Sequence, residues 1–72
     1  MAKAAREAQG MKYIASIAAV HVSGKGMFVG HLPVRIEATD YKEADQKALE
    51  IALQRWPKEE GWTSHDAVSL LA

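Results

Sequence analysis

Tyr13-Ile14-Ala15-Ser16-Ile17-Ala18-Ala19-Val20-His21-Val22 is the stretch whose reading decides the fold, ten residues without one acidic or strongly basic side chain. Apolar residues occupy both its odd and its even positions, the pattern of a strand covered above and below rather than one with a wet face. Placed at the middle of a small sheet, it needs a neighbour on each edge and a layer against at least one face. The remaining residues are read for what supplies them.

The first neighbour follows at once. Ser23, Gly24, Lys25 and Gly26 are turn residues, and Met27 to Glu37 alternates again. A three-residue loop with Gly26 left-handed sets Ser23 opposite Met27 and Val22 opposite Phe28. In that register one face collects Ile14, Ser16, Ala18, Val20 and Val22 with Phe28, Gly30, Leu32, Val34 and Ile36, and is expected to be the core. The other collects Tyr13, Ala15, Ile17, Ala19 and His21 with Met27, Val29, His31, Pro33, Arg35 and Glu37, and is expected to stay open. Pro33 lacks an amide hydrogen and places the second strand at an edge. The Gly24-Lys25-Gly26 loop is read as a hairpin turn; a phosphate loop needs a longer glycine-spaced run that opens into a helix.

Asp40 and Glu43 have the spacing of a capping box, which opens a helix running to Trp56, where Pro57 ends it. Tyr41, Ala44, Ala48, Leu49, Ile51, Ala52, Leu53 and Trp56 form its apolar arc, and the alanines let it sit close on a sheet. Lys58 to Gly61 reads as a turn. Trp62 to Ala72 is assigned to a third strand, with a short helix capped by Ser64 as the competing reading. The strand is preferred because a lone hairpin makes too small a sheet. Beside the first strand it is antiparallel to it, which gives an α+β, ββαβ two-layer sandwich: a three-stranded antiparallel sheet of order 2-1-3 with one helix on one face. Residues 11–72 form this single domain. Residues 1–10 are an N-terminal arm or short helix, since Ala2 to Gln9 are good helix formers and Gly10 is a stop.

Seventy-two residues bury a modest share of their surface, so a partner chain is an expected source of stability. No cysteine is present, which excludes disulfides and thiolate metal sites and fits a reducing compartment. No apolar run is long enough for a bilayer, and Met1 to Gly10 lacks a secretory apolar stretch, so a soluble cytoplasmic protein is expected. Net charge is zero but unevenly spread: five cations face one acid up to Ile36, and eight acids face four cations from Glu37 onward. Such a dipole favours oriented encounters with a charged partner or a second copy.

Chemistry-bearing residues are sparse. Glu43 and Glu50 share an outer helix face with no apolar enclosure around either, and Ser64, His65 and Asp66 are adjacent in sequence whereas triads are assembled in space. His21 and His31 fall as diagonal neighbours on the expected open face, and with His65 make the only metal candidate; they are read as exposed polar histidines because convergent ligands and second-shell support are missing. No catalytic residue, cofactor or metal is assigned, and the chain is read as non-enzymatic.

The joint from Ile36-Glu37-Ala38-Thr39 through Asp40, Glu43-Ala44 and Ala48 resembles the strand-to-helix joint of many small α+β proteins, HicB-type antitoxins among them. The proline-glycine loop that precedes the joint in those antitoxins is absent, and no residue role is carried over. The functional expectation rests on the open face: Tyr13, Ile17, His21, Met27, Val29, His31 and Arg35 form a partner-binding surface. The expected protein is a small inhibitor or adaptor of the kind phages and mobile elements encode, working as a homodimer that binds another protein. The alternative is nucleic-acid binding by the basic hairpin through Lys12, Lys25 and Arg35.

Overall fold

A computed structural model of the protein describes residues 10–72. The expected arm over Ala2 to Gln9 lies outside the described residues. Strand β1 (Met11–Ser23) and strand β2 (Gly26–Ala38) form a long hairpin, helix α1 (Tyr41–Arg55) crosses back, a short 3-10 turn (Lys58–Glu60) reverses the chain, and strand β3 (Trp62–Leu71) returns along β1. The sheet is antiparallel with order β2-β1-β3, so β1 is central and α1 covers one face. The α+β architecture is the one expected, and the third element is a strand.

The hairpin register differs by one residue from the expected one. Ser23 pairs with Gly26, Val22 with Met27 and His21 with Phe28, so two residues rather than three separate the closing pair. Gly26 does adopt a positive φ, of 141°. Because side chains alternate, this single step exchanges the two faces of β1 relative to β2. Tyr13, Ala15, Ile17 and Ala19 lie under the helix, with Tyr13 2% and Ile17 0% exposed, while Ile14, Ser16, Ala18, Val20 and Val22 face away from it. The β2 assignment holds: Ile36 is buried, and Leu32 and Val34 pack against the core.

The physical reason lies in side-chain size. Helix α1 buries Ala44, Ala48 and Ala52 completely, three residues that recur every four positions and so form one narrow seam. A seam of methyl groups holds the helix against the sheet only where the strand below is also low. Ala15 and Ala19 supply that low surface, and Tyr13 and Ile17 fill the space beside it. The opposite face of β1 offers no such alternation of large and small residues.

Both helix ends follow from local chemistry. The Glu43 amide donates to Asp40 Oδ1 at 2.8 Å, and the Glu43 carboxylate reaches back to accept from the Thr39 amide at 2.7 Å and the Thr39 hydroxyl at 3.2 Å. The reciprocal bond therefore falls on Thr39 rather than on Asp40. Asp40→Ala is expected to lower stability by about 1 kcal/mol in urea unfolding, the usual cost of an N-cap lost to alanine. At the other end Trp56 leaves the helical region with φ −127° and ψ 80°, as a residue before proline does. Its buried indole covers Gly30 so closely that a Cβ there would lie 2.5 Å from the ring.

The helix lies mainly over β3 and β1 and less over β2. The far end of the hairpin therefore projects beyond it, and Phe28, although on the helix side, is half exposed. Among the described residues, no helix is long and apolar enough to cross a membrane.

Candidate interaction surface

The face of the sheet away from α1 is read directly from the pairing. Across it, Arg35-Ile14-Leu70, Pro33-Ser16-Val68 and His31-Ala18-Asp66 form successive rows from β2 through β1 to β3. Val29-Val20-Thr63 follows, and then Val22 beside Met27. Beyond Ile14 the face ends in Lys12 and Glu37. Val22, Met27, Val29, Val68 and Leu70 are each 56 to 67% exposed, and Ile14 is 39% exposed. Monomeric proteins rarely leave so many large apolar side chains contiguous and wet without a use for them.

Local features of β3 shape this face. Ser64 has a φ of 55°, unusual for a residue with a Cβ, and it sits where the β1-β3 register shifts between Ala18 and Val20. Two residues, Ser64 and His65, span the position opposite Ala19, the arrangement of a β-bulge. The bulge returns Asp66 to the row of Ala18 and allows His65 to turn toward the helix. There the His65 ring bonds the Trp56 carbonyl at 2.6 Å through Nε2, the nitrogen that must carry the proton because a carbonyl only accepts. The Ser64-His65-Asp66 run is thereby divided: Asp66 belongs to the open face and His65 secures the end of α1.

His21 is likewise occupied on the helix side. Its Nε2 donates to the Glu60 carbonyl at 3.0 Å, and its ring meets Trp62 edge-on with centroids 5.2 Å apart. Gly61, with φ 98°, passes so near that a Cβ would stand 2.8 Å from this nitrogen. His21 and His31 are therefore on opposite faces, not neighbours, and the paired arrangement expected of them does not form. Among the described residues, no three His, Cys, Asp or Glu side chains gather as a metal site requires.

Of the seven residues expected on the open face, Met27, Val29, His31 and Arg35 are there. Tyr13 and Ile17 are core residues, and His21 is half-buried beneath the 3-10 turn; the one-residue register step moves all three together. Their places are taken by Ile14, Val20 and Val22, joined by Val68, Leu70 and Asp66 from β3. The signal that could have found them was the Ala15-Ala19 pair, which has the small size needed below the Ala44-Ala48-Ala52 seam. Of the basic residues, Lys12 and Arg35 stand near one end of the hairpin, while Lys25 is at its tip, more than nine residue steps of strand away. They do not line up as a continuous stripe for a phosphate backbone.

Among the described residues the surface has shallow depressions, two of which lie beside charged side chains. One of about 370 Å³ lies by Lys12, Ile14, Arg35 and Glu37 at the end of the open face. The other, of about 350 Å³, runs between α1 and β3 beside Lys42, Asp45, Leu49 and His65. The groups around each are a mixture of charged and apolar surface side chains, and His65 is already committed to Trp56.

Among ionisable groups, Tyr13 stands out. Burial, reinforced by the neighbouring Tyr41 and the Asp40 carboxylate, pushes its phenol above the ordinary value of 10.0. The Tyr13 and Tyr41 rings meet edge-on, centroids 4.9 Å apart. A phenol whose pKa is raised in the folded state favours folding below the unfolded value, and this stabilisation fades as pH climbs through the folded value. Absorbance titration near 295 nm is expected to show Tyr13 ionising later than in a Tyr41→Phe variant, since that variant removes one of the causes of the shift.

Comparisons of the chain with protein-family models, with curated proteins and with solved structures return no match, and the reading of this surface rests on its own geometry.

Proposed function

We propose that this chain is a small non-enzymatic protein-binding module of the cytoplasm, an inhibitor or adaptor, that acts by covering an apolar surface of another protein with its open sheet face. Self-association through that face makes it a homodimer when the other protein is absent. The single observation that carries this reading is the row-by-row apolar character of the face, with Ile14, Val22, Met27, Val29, Val68 and Leu70 unburied in a domain whose helix already covers the other side. A sheet with one covered face ordinarily turns mainly polar side chains to water on the other, whereas here Ser16, Thr63 and the His31-Asp66 row share that face with six large apolar side chains. The apolar centre with a rim of Lys12, Arg35 and Glu37 has the anatomy of a protein-protein interface.

Charging the centre of the face tests the reading. In dilute, monomeric protein, Val29→Asp combined with Val68→Asp is expected to leave the circular dichroism spectrum and melting temperature close to those of the parent, because both side chains are wet in the single chain. Association measured by sedimentation equilibrium is expected to disappear. Unchanged association in this double variant would refute the use of the face. A salt titration of binding to single-stranded RNA and duplex DNA provides the contrast: steeply salt-dependent affinity lost with Lys25→Ala and Arg35→Ala would transfer the function to nucleic acid.

A further inference from the structure

The open face carries one row with two ionisable side chains away from its margins: His31, Ala18 and Asp66, near the middle of its length. Flanking the central strand, His31 and Asp66 are separated by two strand spacings, about 10 Å between backbones. They form no ion pair with each other; the ion pair among the described residues is the exposed helix pair Lys47-Glu43. A carboxylate and an imidazole held apart on an otherwise apolar face would both lose water if that face were covered, and each then needs a polar counterpart on whatever covers it.

We propose that the occupant of this face is a second copy of the chain, docked sheet on sheet about a two-fold axis running along β1, with His31 of each copy bonded to Asp66 of the other. The inference rests on the reading of the face as an interaction surface and names its partner. The geometry is set by symmetry. An axis along β1 keeps the strands of the two sheets aligned and exchanges the β2 and β3 edges, so the imidazole of one copy meets the carboxylate of the other twice. An axis across the strands at Ala18 instead stacks His31 on His31 and Asp66 on Asp66, leaving both carboxylates without a donor. The small side chain of Ala18 between them leaves room for the rings.

The same axis matches the other rows. Val68 of one copy covers Pro33 of the other, Val29 meets Thr63, and Leu70 lies along the aliphatic stem of Arg35, whose guanidinium reaches water at the rim. Ile14, Val20 and Val22 line the axis itself. The twist of each sheet turns the two sets of strands about 30° apart, the usual aligned packing. Three strands and five rows cover roughly 14 by 33 Å, so the two faces together remove on the order of 1,000 Å² from water, the lower end of specific interfaces. A foreign protein that takes the face competes with self-association.

Sedimentation equilibrium between about 5 and 500 µM, with melting curves to verify folding, tests the arrangement. The wild-type protein, His31→Asp, Asp66→Lys and the double variant His31→Asp/Asp66→Lys are compared, with Val29→Asp/Val68→Asp as the control for the face. Each single charge variant is expected to weaken dimerisation at least tenfold, because it sets like charges or mismatched groups against one another. The double variant restores opposite partners and is expected to return within about threefold of wild type. Singles that dimerise like wild type, or a double variant no better than its singles, would overturn the two-fold pairing while leaving the face in use. A wild-type protein that stays monomeric at 500 µM, or a Val29→Asp/Val68→Asp control that still dimerises, would remove the self-association reading itself.

Discussion

Trp56→Ala is expected to unfold most of the protein at room temperature. The indole is one of the few large side chains in the core, since α1 otherwise contributes three alanines as its fully buried residues. It packs over Gly30 of β2 and stands 5.8 Å, centroid to centroid, from the Trp62 ring of β3, so it ties the helix end to both edges of the sheet. Truncating a buried tryptophan costs about 3–5 kcal/mol, and a domain of this size is expected to have little more than that in reserve. Gly30→Ala attacks the same contact from below by forcing the ring aside, and about 1–3 kcal/mol is expected from overpacking. Chemical denaturation followed by tryptophan fluorescence would measure both.

The second large effect separates the two faces of β1. Ile17→Asp puts a carboxylate where nothing pairs with it and no water reaches, and the folded state is expected to be lost, a cost above 4 kcal/mol. Val22→Asp, five positions along the same strand, replaces a side chain exposed in the single chain and, in dilute monomeric protein, is expected to change stability by less than about 0.5 kcal/mol. Had the hairpin closed one residue differently, Ile17 would lie on the open face and Ile17→Asp would be tolerated. Thermal melts of the pair therefore read the register directly.

That register marks the boundary of what the amino acids disclose unaided. The elements were legible because each rests on local chemistry: the Asp40-Glu43 cap, the Pro57 stop, the turn glycines, and the Val68-Leu70 alternation. Strand order followed from antiparallel pairing and the need to cover a central strand. The facing of β1 was not legible from its own residues, because Tyr13 to Val22 is apolar at odd and even positions alike and either side passes as core. What decides it is long-range fit, small Ala15 and Ala19 beneath small Ala44, Ala48 and Ala52, and that fit becomes visible only when helix and strand are considered together. The candidate surface was accordingly half legible: β2 contributed Met27, Val29, His31 and Arg35 as expected, while the β1 members and all of β3 depended on the register and on the bulge at Ser64.

The exposed ion pair between Lys47 and Glu43, 4.0 Å apart, illustrates what the surface does not depend on. Pairs of this kind contribute little. Lys47 is better employed donating to the Glu37 carbonyl at 2.7 Å, which ties α1 to the end of β2.

Cysteine reactivity along β1 is the most direct test of the central claim, since the chain contains no cysteine and each introduced thiol reports alone. Ile14→Cys, Ser16→Cys and Val20→Cys probe the open face, and Ala15→Cys, Ile17→Cys and Ala19→Cys probe the helix side. The account predicts that thiols at 14, 16 and 20 react rapidly in dilute protein and are protected as concentration rises, whereas those at 15, 17 and 19 are protected throughout. Fast reaction at 15, 17 and 19, or reactivity at 14, 16 and 20 that does not change with concentration, would contradict it.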